Sequence, residues 1–168
     1  MDPVRRPSAK DVLRNAIFVI VVPGFVAGLG PWLVTRYVRF DWGAWTVPVV
    51  VAAAVLILAG AVVLLYGVWR FAAEGRGTPS PTAPTEALVV AGPYRYVRNP
   101  MYLAVGAIIL GQVLLFLMPG IVAYAVGFVV LVVTFVRLYE EPTLLRTFGA
   151  EYEAYKAAVP GWWPRRPR

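Results

Sequence analysis

The chain has no cysteine and no histidine, and only 15% of its 168 residues are charged. Without cysteine and histidine it forms no disulfide, binds no zinc through thiolate or imidazole, and has no serine–histidine or cysteine–histidine nucleophile pair. Only nine residues are acidic, which leaves few carboxylates for a hard metal ion, and we expect no metal site. Chemistry here must depend on a cofactor, on arginine, tyrosine and glutamate side chains, or on the positioning of reactants.

Apolar residues dominate what is present. They make up 60% of the chain, and the mean hydropathy is +0.68. This composition is typical of an integral membrane protein and excludes an ordinary water-soluble globule.

Three long stretches carry no charge, at residues 16–35, 43–69 and 101–136. About 20 helical residues cross a hydrocarbon core, so the first two stretches are single spans. The turn signal Met118-Pro119-Gly120 divides the third into a tight hairpin. We predict a single all-α membrane domain with a cytoplasmic C-terminal amphipathic helix and four transmembrane helices, at about 16–37, 45–70, 100–118 and 120–138.

The basic residues flank these stretches. Arg36 and Arg39 follow the first span, and every other lysine or arginine lies before the first span, between the second and third, or after the fourth. The net charge of +7 therefore indicates topology and does not indicate a nucleic-acid partner. By the positive-inside rule, both termini of this multi-pass protein are predicted to be cytoplasmic.

Two glycine pairs have the spacing of helix contacts. Gly24 and Gly28 form one pair, and Gly60 and Gly67 the other. Small residues at such spacings allow helices to pack closely, either within one chain or in a homo-oligomer. The sequence leaves both arrangements open.

Polar residues gather in two segments, and the first is 92–102. Asn99 suits a helix N-cap and Pro100 suits the first helical position, so the third helix should begin there. A helix N-terminus beside Arg98 is a receptor for a carboxylate or phosphate. The alternative is a set of headgroup contacts and an aromatic belt, formed by Arg95, Arg98, Tyr94, Tyr96 and Tyr102.

The second segment follows the fourth span and contains the adjacent Glu140 and Glu141. Adjacent carboxylates so close to hydrocarbon usually have a partner or a task. Apolar and aromatic residues then recur every three or four positions, which predicts one helical face lying on the membrane or covering a pocket. The face consists of Leu144, Phe148, Tyr152, Tyr155 and Val159. The Pro-rich stretch 74–90 is predicted to be an extended connector.

As an ordered set, these motifs resemble the isoprenylcysteine carboxyl methyltransferase family and its bacterial relatives, which merge with the membrane phospholipid methyltransferases. The resemblance covers about residues 70–165. It rests on Leu88-Val89, Gly92, Tyr94, Arg98-Asn99-Pro100-Met101-Tyr102, Glu140-Glu141, Phe148-Gly149, Glu151-Tyr152, Tyr155 and Val159-Pro160. Membrane sterol reductases carry a similar Arg-x-Pro-x-Tyr element, so that element alone is not specific.

The resemblance implies an enzyme of the bacterial inner membrane with its catalytic part at about 74–165. It would use S-adenosylmethionine to methylate a lipid-borne or prenylated acceptor from the bilayer. The implied cofactor contacts are Glu86, Ala87, Leu88, Val89, Tyr94, Arg98, Asn99, Pro100, Met101, Tyr102 and Glu140. Arg137, as the cation that orients the acceptor, and Glu141, as the alternative to Glu140, are the implied catalytic residues.

Two positions depart from the family pattern. Asn99 stands where the family often has histidine, and Ala104 stands where it often has glycine, which could crowd a close backbone approach. A carboxylate acceptor suits a chain without histidine, because an ionised nucleophile needs alignment and no general base. An amine acceptor also requires proton removal, by Glu140, Glu141 or a tyrosine. The alternatives are a phospholipid N-methyltransferase, an NADPH-dependent sterol-type reductase and a non-enzymatic four-helix scaffold.

Overall fold

A computed structural model of the protein describes residues 21–73 and 88–165. Within these two ranges the chain consists of helices and turns and contains no strand, which confirms the all-α prediction. We number the helices α1 to α6. Helices α1 to α4 coincide with the apolar stretches of the sequence, and the short helices α5 and α6 come after them in the chain.

The first two helices are joined by a short loop. Helix α1 covers Val21–Thr35 and contains a π-helical turn at Phe25–Leu29. Helix α2 covers Thr46–Ala73 and is preceded by a 3-10 turn at Gly43–Trp45. Residues 16–20 of the first predicted span lie outside the described residues.

The predicted hairpin is present between α3, Pro100–Phe116, and α4, Pro119–Phe135. Leu117 ends α3 in the left-handed conformation, and Met118 is extended, as a residue before proline prefers. Pro119 then occupies the first turn of α4, where its missing N–H has no cost. The turn therefore uses only two residues between helices.

The helix that contains the fourth predicted span, 120–138, does not end near residue 138, and the limits of the span itself stay a prediction. The helix continues through a π turn at Val136–Glu140 into α5, Glu141–Phe148, and the apolar run is one helix from Pro119 to Phe148. Pro142 lies inside this continuous helix without ending it, and it directly follows the π turn, whose last hydrogen bond runs from the Glu141 amide to the Val136 carbonyl oxygen.

The prediction of a single C-terminal amphipathic helix is wrong, because two helices stand in its place. Gly149, at φ +50° and ψ −126°, separates α5 from α6, Ala150–Ala158. Only glycine adopts that conformation without strain, so the chain turns sharply there. The regular spacing of the apolar face did not reveal the break.

Helices α2 and α3 form the closest pair. A Cβ atom on Gly60 would lie 2.6 Å from the carbonyl oxygen of Ala104, and one on Gly111 would lie 2.8 Å from that of Ala53. Gly67 faces Met101 in the same interface. Gly60 and Gly67 thus serve helix packing as predicted. Because Gly60 has no side chain, the α3 backbone at Ala104 can approach α2 closely. Gly24 and Gly28 have no atom of the described residues within 4 Å of an added Cβ, so they make no such contact within residues 21–73 and 88–165.

Two helices of the described chain are long and apolar enough to cross a membrane, at Gly43–Gly67 and Pro119–Phe148. The described part of α1 and helix α3 are apolar but shorter. Large apolar side chains remain exposed along α2 at Val47, Val51, Val55, Leu58, Val62 and Leu65. Such a surface suits a lipid environment. A total of four crossings stays a prediction.

Candidate active site

One end of the helix bundle carries the polar side chains, and we call it the polar end. It is formed by residues 92–99, the first turn of α3, the π turn after α4, and helices α5 and α6. Gly92, at φ +60°, opens a 3-10 turn at Gly92–Arg95, which leads to the start of α3. The two polar segments of the sequence therefore meet in space.

Helix α3 begins at the predicted position, with Asn99 at the N-cap and Pro100 as the first residue. The Asn99 side chain, only 6% exposed, does not cap the helix, and its amide donates a hydrogen bond of 3.1 Å to the Gly161 carbonyl oxygen. Helix geometry leaves the amides of Met101 and Tyr102 without an intrahelical acceptor. This helix end therefore offers donors to an anion.

Arg98 is the central cation of the site. Its Nη1 lies 3.1 Å from Glu141 Oε1 and donates to the Tyr152 hydroxyl at 3.2 Å. Its Nε is buried and has no hydrogen-bond partner among the described residues. A buried donor without an acceptor is costly, so this atom marks a place for an acceptor.

The adjacent glutamates have different partners. The Tyr102 hydroxyl donates to Glu140 Oε2 at 2.9 Å. Glu141 is held by two cations, Arg98 and the Lys156 ammonium, whose Nζ lies 2.7 Å from Glu141 Oε2. Glu141 is therefore neutralised by ion pairs, whereas Glu140 is oriented by a neutral phenol.

These groups line a narrow cleft of about 20 Å³. It is lined by Arg98, Asn99, Val136, Glu140, Glu141, Leu144, Tyr152 and Tyr155. Both glutamates line the cleft, so the lining alone does not decide which of them faces the cofactor.

Tyrosines surround the cleft as neutral phenols. Burial, with Glu140 nearby, raises the pKa of Tyr94 far above its ordinary value. Burial also raises the pKa of Tyr155, although Arg98 acts in the opposite direction, and the Tyr155 hydroxyl donates to the Tyr94 carbonyl oxygen at 2.8 Å. Both phenols carry no charge at neutral pH, and that of Tyr155 donates a hydrogen bond.

The other predicted site residues are more scattered. Leu88 and Val89 are buried beside the turn before α3, and Glu86 and Ala87 lie outside the described residues. Pro100 is buried, and Met101 packs against Gly67 in the α2–α3 interface. Arg137 is exposed in the π turn and does not line the cleft.

Sequence reasoning missed part of the site, because helix α6 folds back at Gly149. For Tyr152 and Tyr155 the sequence predicts only a helical face that lies on the membrane or covers a pocket, and for Lys156 and Gly161 it predicts no role. A Cβ on Gly161 would lie 3.1 Å from Arg98 Nη2, so this glycine covers the guanidinium. The Phe148-Gly149 pair was the available signal for the fold-back.

The apolar helices and the cleft at the polar end define a membrane protein with a candidate active site at one end of the bundle. The family model described as phospholipid methyltransferase matches residues 48–151. The chain therefore belongs to the phospholipid methyltransferase family, a family of membrane methyltransferases. No curated protein and no solved structure matches the chain. The matched range ends just before Tyr152, so it contains both glutamates and Arg98 and excludes α6 after its first two residues.

Proposed function

We propose that this protein transfers a methyl group from S-adenosylmethionine to a lipid-borne acceptor in the cleft at the polar end. Family membership supports methyl transfer. The observation that carries the proposal is the meeting of the α3 N-terminus and Arg98 with Glu140 across one small cleft. A zwitterionic amino-acid cofactor needs a cationic and an anionic partner in the same cleft.

The donor set fits the cofactor. Arg98 Nε is a buried donor without a partner among the described residues, and the Met101 and Tyr102 amides start a helix, so a carboxylate has matching donors. Glu140 provides an acceptor for the ammonium or the ribose hydroxyls. One Asn99 N–H already bonds to Gly161, which favours Arg98 and the helix amides as the carboxylate partners.

S-adenosylmethionine, when bound, supplies the methyl group on a positively charged sulfur. The residues of this chain have the tasks of alignment and water exclusion. Tyr152 and Tyr155 form the wall of the cleft towards water, and Glu140 is oriented by Tyr102. Arg137, which does not line the cleft, has no part in this arrangement.

For the acceptor we propose a carboxylate, as in the isoprenylcysteine carboxyl methyltransferases that the sequence resembles. An ionised carboxylate attacks without a general base. Glu141 is already paired with Arg98 and Lys156.

A phospholipid amine is the second candidate acceptor, and the family match favours it. Amine transfer needs a group that takes a proton. Glu140 is the candidate for that role, because its partner is the uncharged Tyr102 hydroxyl and no cation is paired with it among the described residues.

The first experiment is equilibrium binding of S-adenosylmethionine and S-adenosylhomocysteine to the detergent-purified protein. We expect saturable binding, weakened at least about tenfold by Glu140→Gln, which corresponds to about 1.4 kcal/mol. Glu153→Gln, which removes an exposed carboxylate of α6, is the matched control and should bind normally. Normal binding by Glu140→Gln would reject that residue's role, and no adenosyl binding would reject the proposal. NADPH is tested in the same way. Binding of NADPH alone would favour a reductase, and binding of neither adenosyl compound nor NADPH would favour a scaffold.

The second experiment identifies the acceptor. Protein in vesicles is given methyl-labelled cofactor with either a prenylated cysteine carboxylate or an ethanolamine phospholipid. A carboxyl methyl ester releases its label as methanol in mild alkali, whereas an N-methyl product keeps it. Alkali-labile label confirms the carboxylate proposal, and alkali-stable label in the phospholipid replaces it by the amine.

A further inference from the structure

We propose that residues 150–165 form a lid that swings about Gly149, opening to admit the cofactor and closing over the cleft. The identity of the ligand rests on the function proposed above, whereas the motion rests on the contacts described next. We call this segment the lid, and the remainder of the described chain the body.

Gly149 has the properties of a hinge. It stands alone between α5 and α6, at φ +50° and ψ −126°, and no atom lies within 4 Å of a Cβ built on it. Among the described residues, a side chain at this position would meet no neighbour, so the surroundings of Gly149 are open. A residue with a side chain would be strained in the closed conformation.

The lid is held to the body by a set of polar contacts. Most of α6 is exposed, and only Tyr152 of that helix is fully buried. The contacts are Lys156–Glu141, Arg98–Tyr152, Tyr155 to the Tyr94 carbonyl, the Arg98 amide to the Pro160 carbonyl, Asn99 to the Gly161 carbonyl, and the Arg165 amide to the Tyr96 carbonyl. Groups of this kind can exchange their partners for water, so the attachment is reversible.

The closed cleft is smaller than the expected ligand. Its volume of about 20 Å³ lies far below the range of about 300–1,000 Å³ that is usual for small-molecule sites. Two of its walls, Tyr152 and Tyr155, belong to the lid. Gly161 of the lid also lies against the Arg98 guanidinium. A ligand therefore reaches Arg98 only when the lid moves away.

The motion can be measured without any ligand, because the chain has no native cysteine to interfere with labelling. Spin labels on Arg95→Cys in the body and Ala154→Cys in the lid, both exposed positions, report the distance between them by pulsed electron resonance. We expect a short and a long distance, with Lys156→Gln increasing the long population at least about twofold. Arg146→Gln, which removes an exposed cation of α5 outside the lid, is the matched control.

A single short distance that Lys156→Gln leaves unchanged would show a fixed wall and overturn the lid. S-adenosylhomocysteine should convert the long distance to the short one. If the protein binds no adenosyl compound, the proposed function fails, while the two distances in the free protein still decide the motion.

A cross-link tests the role of the lid in ligand entry. The Arg165 amide donates to the Tyr96 carbonyl at 3.0 Å, so Tyr96→Cys with Arg165→Cys should form a disulfide that closes the lid. We expect the oxidised form to slow S-adenosylhomocysteine association at least about tenfold, with recovery on reduction. Phe40→Cys with Leu115→Cys joins a similar backbone pair, 3.1 Å apart, outside the polar end, and should have no effect. Equal association rates for oxidised and reduced Tyr96–Arg165 protein would exclude entry through the lid.

Discussion

Glu140 and Glu141 are neighbours in sequence, carry the same chemical group and have different surroundings. Glu140 accepts a hydrogen bond from Tyr102, whereas Glu141 forms ion pairs with Arg98 and Lys156. Glu141 therefore holds the polar end together, and Glu140 remains available to a ligand. The sequence predicted that the pair is important, but it could not divide the two roles.

The two glutamates should accordingly differ in their effect on stability. We expect Glu141→Gln to lower the free energy of unfolding by about 1.5–3 kcal/mol, because it removes the charged partner of two cations. Glu140→Gln should cost less than about 1 kcal/mol, since glutamine still accepts the Tyr102 hydrogen bond. Denaturant unfolding in detergent measures both, with the exposed Glu153→Gln as reference. Equal losses for Glu140→Gln and Glu141→Gln would contradict this division.

Buried phenols should make the protein sensitive to alkali. The pKa of Tyr94 and of Tyr155 is raised by burial above the ordinary value of 10. Below that value the phenols are neutral in the folded and the unfolded chain, and the stabilisation is complete. Above it the unfolded chain ionises first, so the free energy of unfolding decreases as pH rises.

Unfolding measured at neutral pH and above pH 10 checks this expectation. Tyr155→Phe should reduce the alkaline loss, because one raised pKa is removed. Tyr96→Phe, at an exposed tyrosine, should leave the pH dependence as it is. A Tyr155→Phe protein with the full alkaline loss would rule out this explanation.

At the scale of the element, glycine spacing proved to be ambiguous. Gly60 and Gly67 lie in the α2–α3 interface, whereas no atom of the described residues lies within 4 Å of a Cβ built on Gly24 or Gly28. Both pairs look alike in sequence because spacing indicates a shared helix face and says nothing of what covers that face. Only the neighbouring helix decides whether a small residue is required.

The α2–α3 interface should tolerate no added methyl group. Gly60→Ala would place its Cβ 2.6 Å from the Ala104 carbonyl oxygen. The backbone would have to shift to relieve this contact. We expect a loss of about 1–3 kcal/mol in the free energy of unfolding. Gly127→Ala in α4, where no atom lies within 4 Å, should be neutral or stabilising by up to about 1 kcal/mol. Similar unfolding curves for the two variants would argue against close packing at Gly60.

The π turn of α1 exposes carbonyl groups that other helices satisfy. The Tyr124 hydroxyl donates to the Val26 carbonyl and the Gln112 amide to the Ala27 carbonyl, each at 2.7 Å. Gln112 is only 6% exposed, and its Oε1 has no partner in the described part of the chain. One side chain thus gains a hydrogen bond and carries an unsatisfied atom.

The two donors should therefore respond differently to removal. Tyr124→Phe loses a bond and gains nothing, so we expect a cost of about 0.6 kcal/mol, with about 1.7 kcal/mol as the upper bound. Gln112→Met loses a bond but also removes the unsatisfied oxygen, so its cost should be smaller. Thermal unfolding in detergent compares them. A larger loss for Gln112→Met would indicate that Oε1 has a partner.

The starts of α3 and α4 and the turn between them were predictable, whereas the end of α4 was not. Asn99-Pro100 and Met118-Pro119 mark the starts of α3 and α4, because proline fixes both its own conformation and that of the residue before it. The end of α4 has no such signal, since the π turn continues the helix past residue 138. The break at Gly149 carried a glycine signal, but the apolar spacing across it was equally regular.

The candidate site was predictable in its residue types and not in its assembly. Arg98, Asn99, Tyr102 and Glu140 follow from motifs, and the structure brings them into one region. Tyr152, Tyr155 and Lys156 join them only because α6 folds back, which is a long-range event. Arg137, which the family resemblance implies as the cation that orients the acceptor, does not line the cleft, and its role stays a prediction.

For the whole molecule, the distribution of basic residues gives a testable orientation. The α1–α2 loop contains Arg36 and Arg39, and the polar end with both termini is predicted to be cytoplasmic. Single cysteines at the exposed Asp41 and Ala154 report the two sides in the cysteine-free background. In intact cells an impermeant maleimide should label Asp41→Cys, and it should label Ala154→Cys only after permeabilisation. The reverse pattern would invert the orientation.

The π turn at Val136–Glu140 sets the phase of everything that follows it. A π turn contains one residue more than an α turn, and successive residues of a helix point about 100° apart. Deleting one residue, such as the exposed Leu138, would rotate the chain beyond it by about that angle and direct α5 elsewhere. A single inserted residue in an otherwise regular helix therefore determines which glutamate faces Tyr102, and with it the geometry of the entire polar end.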